Sequence, residues 1–280
     1  MIQAKRAGGS AVAVQVEPAS RWAVLWQQRR VLSLLVTRDL KVKYADSLLG
    51  YLWSIIEPLL MAGIYWLVFV RIMGRSVGEE PYIVFLLAGM LPWQWANGAI
   101  RGSMKCFSKD SKLVRSTSLP REIWVLRVVL SRMADYLLAL PVLALIVVVT
   151  RAPLHWEVVF LPLALLLQAV FMFGLGMLLA PLAVLYGDVE RLVRLAMRLL
   201  FFLSPVVYGV HDVRQRLGSF ASLYLVNPFA GLLDLYRVAF YPDKWSGWMP
   251  LLITIGFALG SLVVGLLTFR RFEGTVLKEI

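Results

Sequence analysis

The sequence contains one cysteine, Cys106, in 280 residues, which excludes an intrachain disulfide and a metal site built from several cysteines. The only histidines, His155 and His211, are far apart in the sequence, so we expect no metal site built on them. No G-x-x-x-x-G-K-[ST] segment occurs, which excludes nucleotide binding through a P-loop. Charged residues form only 16% of the chain, below the roughly 25% of a soluble domain. A soluble metalloenzyme or nucleotidase is therefore not expected.

Apolar residues, by contrast, form 60% of the chain, the mean hydropathy is +0.74, and the apolar residues cluster into long runs. A helix needs about 20 apolar residues to cross the bilayer core. The runs predict an all-α integral membrane protein with six transmembrane helices. We place the spans at about residues 48–70, 81–100, 123–150, 158–187, 191–210 and 248–269.

The remaining segments fall outside these spans. A further apolar stretch at about 217–233 is broken by glycine, asparagine and proline, which is typical of a re-entrant segment on the outer side, between the fifth and sixth spans. We expect residues 1–20 to form a flexible tail and residues 21–280 to form a single transmembrane domain. Residues 21–37 have apolar positions at helical spacing, which predicts an amphipathic interfacial helix. That helix is either a simple anchor or a docking surface.

Most lysines and arginines outside the spans fall in segments that six crossings place on the side of the N-terminus. Cytoplasmic segments carry such an excess, so we expect both termini to be cytoplasmic. This distribution also explains the net charge of +12 without nucleic acid as a partner.

Three charges, those of Glu57, Arg132 and Asp135, are expected at membrane depth. Glu57, directly before Pro58, cannot face lipid at low cost and should face protein or water; its partner is either structural or the substrate. Arg132 and Asp135 are three residues apart, which favours an ion pair within one helix, although a substrate role stays open. Arg127 is expected to extend towards the membrane interface.

Two glycines in a GLGM stretch, Gly174 and Gly176, lie in the middle of a predicted span. At that position they indicate close helix packing rather than a nucleotide-binding loop.

Several segments, taken together and in order, resemble the permeases of type-2 ABC exporters. The similarity is greatest to the branch that exports polysaccharides, O-antigens and teichoic acids. It extends over nearly the whole chain, and the matching segments are RDLKVKYADSLLGYLWSIIEPLL (Arg38–Leu60), LLAGMLPWQW (Leu86–Trp95), KLVRSTSLPREIWVLRVVLSRMADY (Lys112–Tyr136), LAVLYGDVERLV (Leu182–Val193), FFLSPVVYGV (Phe201–Val210) and LVNPFAGLLDLYR (Leu225–Arg237).

The resemblance implies a transporter subunit in the bacterial cytoplasmic membrane that catalyses no covalent chemistry. It implies a second copy of this chain and two copies of a separate ABC ATPase, which would bind the ATP and magnesium. This chain itself would need no cofactor. The cargo would be a lipid-linked polysaccharide, carried on a polyprenyl pyrophosphate.

Contact with the ATPase would involve the interfacial helix and the basic segment at 105–118. A short helix in that segment could transmit movement of the partner; the alternative is a solvated basic loop. The coupling candidates are Lys105, Lys109, Asp110, Lys112 and Arg115.

Aromatic side chains are dense in the predicted spans. Sugar rings present C–H faces that stack on aromatic rings, so part of this set could line a glycan path; the alternative is the aromatic belt of the membrane interfaces. The candidates are Tyr51, Trp53, Tyr65, Trp66, Phe69, Trp93, Trp95, Phe201, Phe202 and Tyr208.

Arg191, Arg194 and Arg198 share one helical face. They are candidates to attract a lipid-linked pyrophosphate at the cytoplasmic entrance, as basic pockets between helices do. The alternative is cytoplasmic anchoring by positive charge.

Three other functions compete with glycan export. An ABC exporter of drugs or simple lipids would have a narrow apolar pore. A membrane glycosyltransferase would need clustered carboxylates for magnesium, and the sequence has no D-x-D cluster. A proton-coupled transporter would favour inverted repeats, which are not evident.

Overall fold

The computed structural model describes residues 27–45, 49–72, 74, 78–117, 119–217 and 224–279. All regular structure in these ranges is helical. The predicted tail and residues 21–26 of the predicted interfacial helix lie outside them. The helices are α1 (Arg29–Tyr44), α2 (Trp53–Trp66), α3 (Tyr82–Lys109), α4 (Ser111–Ser116), α5 (Glu122–Thr150), α6 (Leu161–Leu185), α7 (Asp188–Leu203), α8 (Val210–Leu217), α9 (Pro228–Arg237) and α10 (Trp248–Glu279).

Shorter helical turns flank several of these helices. A 3₁₀ turn at Gly50–Leu52 leads into α2, and a π-helical turn at Leu67–Ile72 continues it. Further 3₁₀ turns are Trp156–Phe160 and Pro242–Lys244.

Five helical segments of the described ranges are long and apolar enough to cross a membrane. This confirms the all-helical, multi-pass class. The segments are Ile55–Ile72, Tyr82–Lys109, Glu122–Thr150, Trp156–Leu185 and Trp248–Val276.

Helix α3 is the central element. Its most apolar stretch is 78% buried, against 11% for the α2 span, and it contacts α2, α5, α6, α7 and α9. Apolar residues on the outward faces of α2, α5 and α10, such as Leu60, Val148 and Val263, are more than half exposed. That exposure is suited to lipid or to a partner subunit.

Helices α6 and α10 cross closely because of two glycines. A Cβ on Gly174 would overlap the backbone of Ser261 and Leu262, and one on Gly265 would overlap the carbonyl of Gly174. A Cβ on Gly176 would lie 2.7 Å from the Ser103 hydroxyl of α3. The prediction of close packing at Gly174 and Gly176 is confirmed.

Two helices extend beyond the predicted spans. Helix α3 continues to Lys109 and α10 to Glu279, whereas the predicted spans end at 100 and 269. The two extensions pack on each other through Phe107 and Phe269, whose ring centroids are 6.0 Å apart. Burial of these rings stabilises the two helical extensions, which the length of an apolar run does not reveal.

The predicted fifth span, 191–210, is interrupted. Helix α7 ends at Leu203, and residues 204–209 are not helical before α8 begins. With 16 residues, α7 is about 24 Å long at 1.5 Å per residue, shorter than the roughly 30 Å bilayer core. The sixth crossing therefore stays a prediction.

The side chain of Arg237, which is 5% exposed, stabilises the non-helical segment between α7 and α8. Its guanidinium donates hydrogen bonds to the carbonyl oxygens of Pro205, Val206 and Phe85. It also lies over the Phe85 ring, 3.6 Å from the centroid. Backbone carbonyls freed by a helix break need such donors when they are buried.

Asn227 connects the end of α7 to the start of α9. Its Oδ1 accepts from the Phe229 amide at 3.0 Å and caps α9, and its Nδ2 donates to the Leu203 carbonyl at 2.9 Å. Pro228 occupies the first helical position, where no amide hydrogen is needed. Of the predicted re-entrant segment, residues 218–223 lie outside the described ranges.

We predict that Arg237→Met lowers the stability of the folded chain by about 3–5 kcal/mol, because removal of a buried hydrogen-bonded charge leaves its partners unsatisfied. The thermal midpoint of the solubilised protein measures this. Arg270→Met, at an exposed position of α10, is the control and should change it little. Equal midpoints for the two variants would contradict a stabilising role for Arg237.

Candidate functional site

Three cavities adjoin along one face of α3, and together we call them the α3 groove. The charged cavity has a volume of about 890 Å³, the middle cavity about 310 Å³ and the aromatic cavity about 440 Å³. Arg101 of α3 borders all three. Gln94 and Asn97 border both the middle and the aromatic cavity. Along α3, the lining of the groove therefore changes from charged side chains to aromatic ones.

The charged cavity lies at the Lys109 end of α3. Helices α1, α3 and α5 contribute to its walls, and Glu190 and Arg194 of α7 complete it. Side chains of both signs line it, the basic ones including Arg38, Lys43, Lys105 and Lys109 and the acidic ones Asp39, Asp110, Asp135 and Glu190.

Arg127 of α5 is the centre of an ion-pair network in the wall of this cavity. Its Nε lies 3.1 Å from Asp39 Oδ2, and its Nη2 lies 2.7 Å from Asp110 Oδ2. Asp110 also pairs with Arg38, at 3.0 Å. The Arg127 side chain is only 3% exposed, so the prediction that it extends to the membrane interface is wrong. It joins α1 and the α3–α4 junction to α5 instead.

Burial raises the pKa of Asp110, but hydrogen bonds and charge from Arg127, and the charge of Arg38, outweigh burial and lower it below the ordinary value. For Arg38, burial lowers the pKa, and the pairing with Asp110 and Asp39 outweighs this and raises it. Since the folded pKa of Asp110 is below the unfolded one, its carboxylate stabilises the fold above the ordinary carboxyl pKa. That contribution is lost as the pH falls through the folded pKa.

Asp135 has two cationic partners. Arg132 Nη1 lies 3.0 Å away, which confirms the predicted pair within α5. Lys43 of α1 lies 2.8 Å from the same oxygen, a contact that no local spacing predicts. The Lys43–Asp135 ion pair therefore attaches α1 to α5.

The predicted basic loop at 105–118 is mostly helical. Lys105 and Lys109 belong to α3, and Lys112 and Arg115 are exposed on the short helix α4. Arg121 Nη1 supports α4 with a hydrogen bond of 2.7 Å to the Val114 carbonyl. Lys105 pairs with Glu190 of α7 at 3.0 Å. Asp110, at the junction, is a member of the Arg127 network.

The aromatic cavity contains four of the ten predicted aromatic side chains: Tyr65, Trp93, Phe201 and Phe202. They come from α2, α3 and α7. Phe201 is the centre of this group, with ring centroids 6.2 Å from Tyr65, 5.7 Å from Trp93 and 5.2 Å from Phe202. These rings form a continuous wall.

The other predicted aromatics whose side chains the structure describes do not line the aromatic cavity. Trp95 borders the middle cavity but is 2% exposed, and its indole donates to the Val129 carbonyl at 3.2 Å. Trp53 and Trp66 are exposed outside the groove. The remaining three differ: Phe69 stacks on Tyr65, Tyr208 donates to the Phe202 carbonyl, and the Tyr51 side chain lies outside the described part of the chain.

The three predicted entrance arginines separate. Arg194 borders the charged and aromatic cavities, and Arg198 borders the aromatic cavity. Arg194 also pairs with Glu190 at 3.1 Å. Arg191 does not border the groove; its side chain is 79% exposed and lies 3.6 Å from Asp188.

Glu57 of α2 faces the groove. It borders both the middle and the aromatic cavity, opposite Gln94, Asn97 and Arg101 of α3. The requirement that this carboxylate avoid lipid is therefore met by a polar cavity.

Comparison with known proteins identifies the family. A family model described as ABC-2 type transporter matches residues 30–241, which include the whole α3 groove. The chain belongs to the ABC-2 type transporter family. Its ABC-2 relatives include the O-antigen export system permease protein RfbA of Klebsiella pneumoniae, 30% identical over 87% of this chain and 92% of the relative.

Two further relatives extend this comparison. RfbA of Myxococcus xanthus is 30% identical over 81% of this chain and 86% of its own length. The polysialic acid transport protein KpsM of Escherichia coli is 24% identical over 89% and 96%. These relatives are permeases or transport proteins of polysaccharide export, as their names state.

The sequence interpretation missed three groove residues of this ABC-2 protein: Gln94, Asn97 and Arg101. Their spacing of three and then four residues puts them on one face of an otherwise apolar helix. That pattern is present in the sequence, but Arg101 lies just beyond the predicted span, which ends at 100.

We predict that Arg127→Gln lowers the thermal midpoint of this ABC-2 protein far more than Arg132→Gln. The first change leaves Asp39 and Asp110 beside a buried neutral group, which typically costs about 3–5 kcal/mol. The second leaves Asp135 paired with Lys43, and partly exposed pairs contribute only about 0–1 kcal/mol. Similar midpoints for both variants would show that the Arg127 network does not hold α1.

Proposed function

We propose that this chain is the membrane-spanning permease subunit of an ATP-driven exporter of a lipid-linked polysaccharide. The observation that carries the proposal is the α3 groove, in which a charged cavity continues into one walled by aromatic rings. A sliding glycan needs weak, repeated contacts, and ring faces supply them without fixing one sugar. The polysaccharide export functions of the relatives support the same cargo.

The groove also favours this cargo over the rivals. A drug or simple lipid would be suited by an apolar cavity, whereas this one has charged and amide side chains along α3. The named relatives are transport proteins and not glycosyltransferases. The chain is accordingly a transporter subunit that performs no covalent chemistry.

The proposed assembly contains two copies of this chain and two copies of an ABC ATPase. ATP and magnesium belong to the ATPase, and this chain needs no cofactor. We place the assembly in the bacterial cytoplasmic membrane with both termini cytoplasmic. Six crossings then require that α7, with the interrupted segment after it, form the fifth, and that the segment around α9 re-enter from the outer side.

Contact with the ATPase is assigned to α1, α4 and the Lys109 end of α3. The Arg127 network supports this assignment, because it joins α1 to the α3–α4 junction and to α5. A push on α4 by the partner would therefore move the wall of the charged cavity. The basic side chains Lys105, Lys109, Lys112 and Arg115 lie at this end.

Deletion of the gene tests the function. We expect cells that lack this chain to accumulate lipid-linked glycan and lose surface polysaccharide, and a plasmid copy to restore it. We also expect an ABC ATPase to co-purify with a tagged copy. Unchanged surface polysaccharide, or a purified complex without an ATPase subunit, would overturn the proposal.

Two of the three entrance arginines should contribute to export. We predict that Arg194→Gln with Arg198→Gln slows export at least about a hundredfold, since charge-assisted hydrogen bonds to phosphate contribute about 1.5–3 kcal/mol each and every 1.4 kcal/mol is a factor of ten. Arg191→Gln, outside the groove, is the matched control and should leave the rate near that of the wild type. The measurement is the appearance of labelled polysaccharide at the cell surface, normalised to the amount of assembled complex. Equal rates for the two variants would rule out this role for Arg194 and Arg198.

A further inference from the structure

Two helices that line the aromatic cavity carry four planar polar side chains, which we call the polar strip: Glu57 of α2 and Gln94, Asn97 and Arg101 of α3. All four also border the middle cavity, so the strip lies where the two cavities meet.

In the part of the chain that the structure describes, none of the four side chains has a hydrogen bond or an ion pair with another residue. Two other polar side chains of the spans do have partners: Gln168 donates to the Pro92 carbonyl at 2.8 Å, and Ser261 donates to the Ala258 carbonyl at 2.9 Å. Polar groups at membrane depth are costly unless they are paired, wet or bound to a ligand. The polar strip is therefore available to a ligand in the groove.

The aromatic side chains that line the same cavity supply the complementary chemistry. Tyr65, Trp93 and Phe201 present aromatic surface to the same 440 Å³ space. That volume falls within the range of about 300–1,000 Å³ that holds small ligands. A cavity lined by aromatic rings and by a few planar hydrogen-bonding groups suits a molecule with a C–H face and a rim of hydroxyls.

The charges of the strip argue against a bare anion as its ligand. Glu57 would repel a pyrophosphate at the strip, where Arg101 is the one cation; the other two arginines that line this cavity, Arg194 and Arg198, are those assigned to the pyrophosphate. A neutral polyol has no such conflict, because a carboxylate accepts from hydroxyls, a guanidinium donates to them, and amides do both.

We propose that the polar strip is a sugar-binding subsite that takes one sugar residue by its hydroxyls while the aromatic wall packs on its C–H face. This rests on the proposed function. It adds a discrete binding position, beside the arginines assigned to the pyrophosphate.

Two soluble probes separate sugar from pyrophosphate: farnesyl pyrophosphate, and farnesyl pyrophosphate bearing one N-acetylglucosamine. Binding of each radiolabelled probe is measured on the complete exporter in nanodiscs. The test variant is Gln94→Leu with Asn97→Leu, and the control is Thr268→Leu, a polar-to-leucine change in α10 outside the groove. These changes make the spans more apolar and do not threaten membrane insertion.

For the wild type, we expect the sugar-bearing probe to bind more tightly than the sugar-free probe. The double variant should lose about tenfold in affinity for the sugar-bearing probe, as two truncated hydrogen bonds would give, and none for the sugar-free probe. Thr268→Leu should change neither. Glu57→Leu should behave like the double variant, and Glu57→Gln, which keeps a hydrogen-bonding plane, should retain most of the affinity.

The outcomes distinguish the inference from the function on which it rests. If the wild type binds both probes equally, or the double variant loses affinity for both to the same extent, the sugar-binding subsite is wrong while the exporter proposal stands. If the wild type binds neither probe and the chain exports no polysaccharide, both are wrong.

Discussion

Polar groups within membrane-spanning helices must be hydrogen-bonded by protein or face water, and the arrangement of this chain follows from that constraint. Arg237 satisfies the carbonyls freed by the break after α7. Arg127 is neutralised by two carboxylates. The polar side chains of α3 that have no such partner face the groove. These polar side chains are thereby either paired within the protein or face the groove, and outward faces carry apolar side chains such as Leu60, Val148 and Val263.

Helix α3 can serve this path because its other faces are fixed. Trp95, Cys106 and Phe107 are buried against its neighbours, so the polar face keeps its orientation towards α2 and α7. The walls that face α3 differ in kind: α2 and α7 supply rings, and α1 and α5 supply charges. The groove thus has one wall, α3, that is fixed by packing, and other walls that belong to separate helices. Such a path is suited to opening and closing when an ATPase partner acts on α1 and α4.

The class of fold could be predicted from the sequence because apolar runs report helices directly, and Gly174 and Gly176 correctly indicated close packing. The end of α7 could not, because Leu203 becomes a helix end through Arg237 and Asn227, which lie 34 and 24 residues further along the chain. Four aromatics of the aromatic cavity were among the candidates, but only tertiary structure separates Trp93, which borders that cavity, from Trp95, which borders the middle cavity and donates to the Val129 carbonyl. The Arg127 network depends on contacts across 17 and 88 positions, beyond any local pattern. Gln94, Asn97 and Arg101, by contrast, share a helical face that the sequence alone displays.

The most direct test of the account is whether blocking the groove stops export. Met61 borders the aromatic cavity, whereas the adjacent Leu60 is 59% exposed and does not border the groove. In a Cys106→Ala background, Met61→Cys and Leu60→Cys are each labelled with a membrane-permeant maleimide, and labelling is verified by mass spectrometry. Surface polysaccharide export is then measured. The account predicts that export stops after labelling at position 61 and continues after labelling at position 60. Continued export with position 61 fully labelled would contradict it.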